Sequence, residues 1–148
     1  MTHNFKSIAG ILGIGLIALA SCKKKSDDSA KAKLTGKWKI TKYADDVNNN
    51  GTLDASESYT VPDSVSSIIT FNSDGSGSEQ DIVSGVTQGT SSFTWKLINS
   101  DKDIVVSEGG ASDTSHIESL TSSDLEISDK TDNGSGGTMK TWGFLHKQ

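Results

Sequence analysis

Apolar and polar residues alternate with a period of two in segment after segment from Leu34 to the end of the chain, and this pattern constrains the fold most. In the segment FTWKLI, for example, Phe93, Trp95 and Leu97 occupy every second position. Such alternation is typical of a β-strand with one buried face, and no window of the domain repeats at helical spacing. The pattern predicts strands near residues 36–44, 66–72, 77–84, 91–99, 102–107, 114–121, 123–129 and 138–147.

Turn-forming segments separate the predicted strands: NSDGSG, SGVTQG, NSDK, EGGASDTS, TSSD and DNGSGG. Short strands at intervals of about ten residues are typical of an antiparallel barrel or sandwich. Sequential hairpins produce an up-and-down meander, and about eight strands are enough to close it into a barrel without free edges. We therefore predict an all-β domain over residues 34–148, built as an eight-stranded antiparallel up-and-down β-barrel.

Residues 1–21 have the layout of a secretory signal peptide. A polar start precedes the apolar run SIAGILGIGLIALAS, which is too short for a membrane-spanning helix. The segment LASC resembles the bacterial lipobox, and that resemblance implies cleavage before Cys22 and acylation of Cys22, for example by palmitate. Two or three acyl chains hold a protein stably on a bilayer. The alternative is an ordinary signal peptide with an incidental cysteine.

Residues 22–33 are predicted to form the lipidated cysteine and a disordered tether, because KKKSDDSAKAK is highly charged and has no apolar periodicity. Lys23 stands where the inner-membrane retention signal of lipoproteins has aspartate, so we predict an outer-membrane lipoprotein. The acidic stretch SDD, residues 26–28, resembles the export signal of some Gram-negative surface lipoproteins, and solvated linker charge explains it equally well. The barrel is therefore predicted to face the periplasm or the cell surface.

The segment DVNNNGTLDASE, residues 46–57, has the spacing of a twelve-residue calcium loop. The expected oxygen ligands are Asp46, Asn48, Asn50, Thr52 through its carbonyl, Asp54 and Glu57. The flanking segments are not helical, since KWKITKY alternates as a strand and Pro62 follows soon after the loop. We predict weak, structural Ca²⁺ binding on a connection between two strands, and the alternative is a solvated Asn/Asp/Gly turn.

Three segments, in this order, resemble bacterial lipocalin-like lipoproteins: LTGKWKITKY, ITFNSDGSGS and FTWKL. The first contains the G-x-W motif of lipocalins at Gly36 and Trp38, and the second is similar to a hairpin of that family. The resemblance implies a lipocalin-like barrel that holds a small apolar molecule. Lipocalins stack a C-terminal arginine on the motif tryptophan, but this chain has no arginine, which leaves Lys140 or Lys147 as substitutes.

A barrel of this size leaves room for its own side chains or for one small ligand. Seven residues are predicted to fill the core or to line a ligand site: Trp38, Ile40, Phe71, Phe93, Trp95, Trp142 and Phe144. Trp38 and Trp142 are expected to lie close together where the first and last strands pair. If the aromatic residues fill the interior, the alternative function is a surface adhesion or scaffold module without a small-molecule ligand.

Other classes of function are disfavoured by what the sequence contains. The formal charge is −5 and no basic stripe alternates with aromatic residues, so nucleic-acid binding is not expected. Cys22 is the only cysteine, and outside the predicted signal peptide the only histidines are His116 and His146, too few ligands for a zinc site. No nucleophile elbow or P-loop is present, so we predict a monomeric binding protein and not an enzyme.

Overall fold

The structure, a computed structural model, describes residues 28–132 and 136–148. Within these ranges a short helix and a short 3₁₀ turn accompany nine strands. The helix is α1 (Ala30–Leu34), the 3₁₀ turn covers Ala55–Glu57, and the strands are β1 (Gly36–Asp45), β2 (Ser58–Thr60), β3 (Val65–Phe71), β4 (Ser76–Val83), β5 (Val86–Ile98), β6 (Asp103–Glu108), β7 (Ala111–Leu120), β8 (Asp124–Asp132) and β9 (Thr138–Lys147). None of the helices in the described ranges is long and apolar enough to cross a membrane.

The eight long strands form one closed antiparallel barrel, which confirms the predicted fold class. From β3 to β9 each strand pairs with the next one in the chain, and β1 pairs with both β3 and β9 to close the sheet. The short strand β2 pairs with the second half of β1, through Lys42–Ala44, and lies beyond the part of β1 that β3 covers. The barrel therefore has no free edge along most of β1.

Two strands are longer than predicted because their hairpin turns are shorter. Ser84 and Gly85, with φ of 51° and 79°, form a two-residue turn, so β5 begins at Val86. Gly109 and Gly110 likewise have positive φ, and β7 begins directly after them. Two-residue turns with two positive φ angles match the twist of paired strands, and glycine adopts them without strain.

The folded domain begins earlier than the predicted boundary at residue 34. Residues 30–33, which we expected in the tether, belong to helix α1, and the hydroxyl of Ser29 accepts a hydrogen bond from the backbone N–H of Ala32 at its start. Leu34 at the end of this helix is fully buried and belongs to the core of the barrel. The burial of Leu34 therefore explains why the last turn of the tether is ordered as a helix.

The expectation that Trp38 and Trp142 lie close together was wrong, although β1 and β9 do pair. Trp38 is the cross-strand neighbour of Lys147, whereas Trp142 is the neighbour of Ala44. Ala44 lies six positions after Trp38 on β1, which corresponds to about 20 Å along an extended strand. The two indoles thus lie near opposite ends of the same strand pair.

Candidate functional site

The interior of the barrel contains a cavity of about 190 Å³. Its wall is mainly apolar and comes from strands around the whole barrel, including Ile69, Phe93, Ile104, Ile117, Leu125 and Leu145. These residues occupy the inward positions of their strands, as Leu145 shows by pairing across the sheet with both Ile40 and Leu125. Alternation in the sequence therefore places an apolar lining around an internal space.

A layer of aromatic side chains packs inside the barrel beside Leu34 of α1. Phe71 contacts Phe93 and Trp95 edge to face, with ring centroids 5.6 and 5.4 Å away. Trp38 is fully buried, and its indole N–H donates a 2.7 Å hydrogen bond to the carbonyl of Leu34. The hydrogen bond joins β1 to α1, so the helix covers this end of the barrel.

Lys147 is the lysine that packs on Trp38, and Lys140, the other candidate from the sequence, does not. Its ammonium lies 5.1 Å from the centre of the Trp38 ring and donates a 2.6 Å hydrogen bond to the carbonyl of Lys33. Gly36 leaves space for this side chain, because a Cβ built at Gly36 lies 2.7 Å from the Lys147 Cε, and its φ of 135° favours glycine. In the G-x-W motif, Gly36 thus leaves the space in which the Lys147 ammonium packs against the ring of Trp38.

Carboxylates lie toward the other end of the cavity. Glu79 and Glu108 belong to its lining, and Asp81 lies two residues along β4 from Glu79. Burial, together with the negative charges of Asp81 and Glu108, raises the pKa of Glu79 above its ordinary value. Burial also raises the pKa of Asp129, with a smaller contribution from the charge of Asp113. Acidic residues on strands are mostly exposed, and no sequence signal distinguishes these inward positions.

Five of the seven residues predicted for the interior belong to the core cluster: Trp38, Ile40, Phe71, Phe93 and Trp95. The other two differ. Trp142 is buried beside Ala44 and Ser128 on the alternate positions of β9, and Phe144 is half-buried opposite Lys42. The ammonium groups of Lys140 and Lys42 lie 4.9 and 3.7 Å from the centres of these two rings. The apolar positions of β9 that face the core are instead taken by Leu145 and by Gly143 beside Ile127.

An open groove lined by polar and charged side chains lies on β6 to β9 and has a volume of about 860 Å³. His116 pairs with Asp103 at 2.7 Å, and Glu118 accepts hydrogen bonds from Ser128 and Lys140. The pKa of Glu118 lies below its ordinary value because of these two hydrogen bonds. Two ion pairs, Asp103 with His116 and Glu118 with Lys140, therefore engage four of the charged side chains in this groove.

The loop 46–57 folds around two buried carboxylates. Asp46, 1% exposed, accepts hydrogen bonds from the backbone N–H groups of Asn50 and Gly51 at 2.9 and 2.7 Å. Glu57, 8% exposed, accepts from the N–H groups of Asn48 and Asp54. Both carboxylates are thus bound to backbone N–H groups of the same connection between β1 and β2, and the predicted binding of Ca²⁺ by this loop stays a prediction.

The carboxylate, amide and carbonyl oxygens of this loop are ligands of the type that a hard cation such as Ca²⁺ prefers. Asp46 and Glu57 each accept two hydrogen bonds within the loop, and an ionised carboxylate has about four lone-pair sites, so both retain capacity. The amide nitrogens of Asn48 and Asn50 donate to Asp54, and their amide oxygens accept hydrogen bonds from the backbone N–H groups of Asn50 and Thr52. No three His, Cys, Asp or Glu side chains within residues 28–132 and 136–148 are grouped to hold a metal. A cation would therefore rely on two carboxylates, reoriented amides and the Thr52 carbonyl.

Cys22, the predicted lipidation site, and the predicted signal peptide lie outside the described residues.

A closed eight-stranded barrel with one covered end and an internal apolar cavity defines a small-barrel protein of the lipocalin type. A family model described as "Lipocalin-like domain" matches residues 34–127, and the chain belongs to this family. No curated protein matches the chain in sequence.

The chain is also similar to solved structures that are distant in sequence. The bovine lipocalin allergen Bos d 2 is 16% identical with a TM-score of 0.45, and the match covers 80% of this chain and 75% of the allergen. Bovine odorant-binding protein, in complex with a selenium-containing odorant, is 12% identical with a TM-score of 0.46 over 85% and 76% of the two chains. Lobster apocrustacyanin A1 is 10% identical with a TM-score of 0.44 over 78% and 61%.

Proposed function

We propose that the protein is a binding protein that holds one small apolar ligand inside its barrel. The observation that carries the proposal is the cavity of about 190 Å³ with a mainly apolar wall. An apolar cavity of about 150 Å³ accepts benzene, whereas sites for drug-sized ligands occupy about 300–1,000 Å³. The expected ligand is therefore about the size of one aromatic ring with a short substituent.

A filled barrel that acts only as an adhesion or scaffold module is the alternative. Exposed apolar residues do occur on connections and strand ends, including Val47 at 73% and Val86 at 59% exposure. They include Val65, Val83 and Val86, which are cross-strand neighbours on β3, β4 and β5, and a group of three valines is small beside the apolar patches that mark interaction sites. The internal cavity therefore favours ligand binding over the filled-barrel alternative.

Phenethyl alcohol, a neutral single-ring compound, tests the proposal by calorimetric titration of the purified domain. Val106 lines the cavity, so Val106→Phe places extra volume in it and should abolish binding while the circular dichroism of the barrel is retained. Val86→Phe is the matched control, because Val86 is exposed and does not line the cavity. Absence of saturable binding to the wild type, or equal binding by Val106→Phe, would contradict a ligand site in the barrel.

We also propose that the domain is attached to the outer membrane through acylated Cys22, facing the periplasm or the cell surface. The support is the segment LASC directly before the charged tether. In cells, Cys22→Ala should remain unprocessed and take up no labelled palmitate, whereas Ser21→Ala should be processed normally. Normal processing and labelling of Cys22→Ala would show that the chain is not anchored in this way.

We further propose that the loop 46–57 binds Ca²⁺ weakly and structurally. Its support is the spacing of the oxygen ligands and the remaining acceptor capacity of Asp46 and Glu57. Binding requires Asn48 and Asn50 to give up hydrogen bonds to Asp54, so the dissociation constant should be about 10⁻⁴–10⁻³ M.

At a dissociation constant of ~10⁻⁴ M, ~1 mM calcium stabilises the fold by about 1.4 kcal/mol and raises Tm by a few degrees. Glu57→Gln should remove most of this rise, because it removes a bidentate ligand. Asn49→Gly is the control, since Asn49 has a φ of 57° that glycine adopts without strain. If calcium does not raise the Tm of the wild type, or raises it equally in both variants, the loop 46–57 is a turn that does not bind Ca²⁺.

A further inference from the structure

The cavity is chemically asymmetric along the barrel. Toward α1 its wall is built from apolar side chains such as Leu34, Phe71 and Leu145. Glu79 and Glu108 also belong to the lining, and no lysine or histidine does. Glu79 lies between Ile69 and Ser91 across the sheet, so it stands on an inward position. A ligand in this cavity therefore meets apolar groups along its body and carboxylates at one end.

The carboxylate of Glu79 has no cationic partner in the described residues. Its pKa is raised first by burial and then by the negative charges of Asp81 and Glu108, and the Ser67 hydroxyl donates its hydrogen bond to Asp81. Lys39 pairs with Asp63 and Lys140 pairs with Glu118, and neither lysine lines the cavity. A half-buried carboxylate without a counter-ion leaves a negative potential inside the cavity.

We propose that the ligand is a small amphiphile whose ring or short hydrocarbon body fills the apolar part of the cavity and whose protonated amine pairs with Glu79. This inference rests on the proposed ligand-binding function and adds the charge of the ligand. A cation supplies the partner that the barrel does not, and a charge-assisted hydrogen bond in a partly desolvated site is stronger than a neutral one. An anionic ligand of the same size meets like charges from two glutamates and is excluded.

Three probes of nearly equal shape test the charge alone: phenethylamine, phenethyl alcohol and phenylacetate. Each is titrated calorimetrically into the wild-type domain at pH 7 and low salt. Phenethylamine should bind at least about tenfold more tightly than the alcohol, which corresponds to about 1.4 kcal/mol. Phenylacetate should bind more weakly than the alcohol.

Two variants that remove one negative charge each locate the effect. Glu79→Gln should remove the preference for the amine, measured as the ratio of the amine and alcohol affinities within the same variant. Glu126→Gln is the matched control, because Glu126 pairs with Phe144 and lies outside the cavity lining. The amine should keep its advantage in this variant.

The outcomes distinguish the inference that the ligand is an amine from the proposal that the barrel binds a ligand at all. If the alcohol binds but the amine binds no better, or if the advantage of the amine survives in Glu79→Gln, the inference is wrong and the proposed function stands. If none of the three probes binds, the proposed function fails, and the inference fails with it.

Discussion

Replacement of Trp38 by alanine tests whether this end of the barrel is built as the structure shows. Trp38 is fully buried, hydrogen-bonded to the carbonyl of Leu34 and covered by the ammonium of Lys147. The substitution removes the indole from the core, leaves the Leu34 carbonyl without that donor, and removes the ring on which Lys147 lies. Each loss acts on the same contact between α1, β1 and β9, so the three losses are not additive.

Truncation of a buried tryptophan costs about 3–5 kcal/mol, and a buried carbonyl without its donor costs about 1–3 kcal/mol. We therefore expect the free energy of unfolding to fall by about 4 kcal/mol. Urea denaturation followed by circular dichroism measures it, because circular dichroism does not depend on the fluorescence of the tryptophan removed. The exposed substitution Val86→Ala should change it by less than about 0.5 kcal/mol. A loss below about 1 kcal/mol for Trp38→Ala would refute the burial of this side chain.

Three further substitutions test the cation on Trp38, the packing beneath the cavity and the acid within it. Lys147→Met should reduce the free energy of unfolding by about 1–2 kcal/mol, whereas Lys147→Arg should change it by less than about 0.5 kcal/mol, measured by urea denaturation. Gly77→Ala should cost about 1–3 kcal/mol, because the added Cβ lies 2.1 Å from the ring of Phe93, whereas Gly89→Ala meets no atom within 4 Å and should be neutral in the same assay. Glu79→Gln should raise Tm at pH 7 and leave it unchanged well below pH 4.5, the ordinary pKa of this group. The raised pKa means that the folded state disfavours the ionised carboxyl, so its cost appears as the pH rises through 4.5 and is complete above the folded-state pKa. An equal gain at both pH values would attribute the effect to packing.

Strand positions were predictable because their signal is local. The alternation of FTWKLI requires only that one face be buried, and the structure places the long strands close to their predicted ranges. The short strand β2 has no such signal, since Ser58–Thr60 is too short to alternate. Helix α1 was missed for the same reason, because the burial of Leu34 against the barrel forms it and five residues carry no helical period.

The face that a residue occupies was less predictable than its strand. In TWGFLHK, Trp142 and Phe144 form one apolar row, and Gly143 and Leu145 form the other, so alternation alone fits either face. A shift of one residue exchanges the two rows. The register settles the choice, because Leu145 lies opposite Ile40 and Leu125, which are both in the core. Such partners are distant in the sequence, and no single strand contains the information.

Glu79 shows why an exception to the pattern can be more informative than the pattern. An inward position on β4 is expected to be apolar, yet this position places an ionisable group beside Ile69 and the cavity. The carboxylate destabilises the empty barrel wherever it is ionised, since burial and neighbouring acids raise its pKa. An amine bound at this position offsets that cost, so ligand binding and stability are linked through one residue. Departures of this kind from local rules are expected where a fold carries function, which supports the inner wall of this barrel as the proposed ligand site.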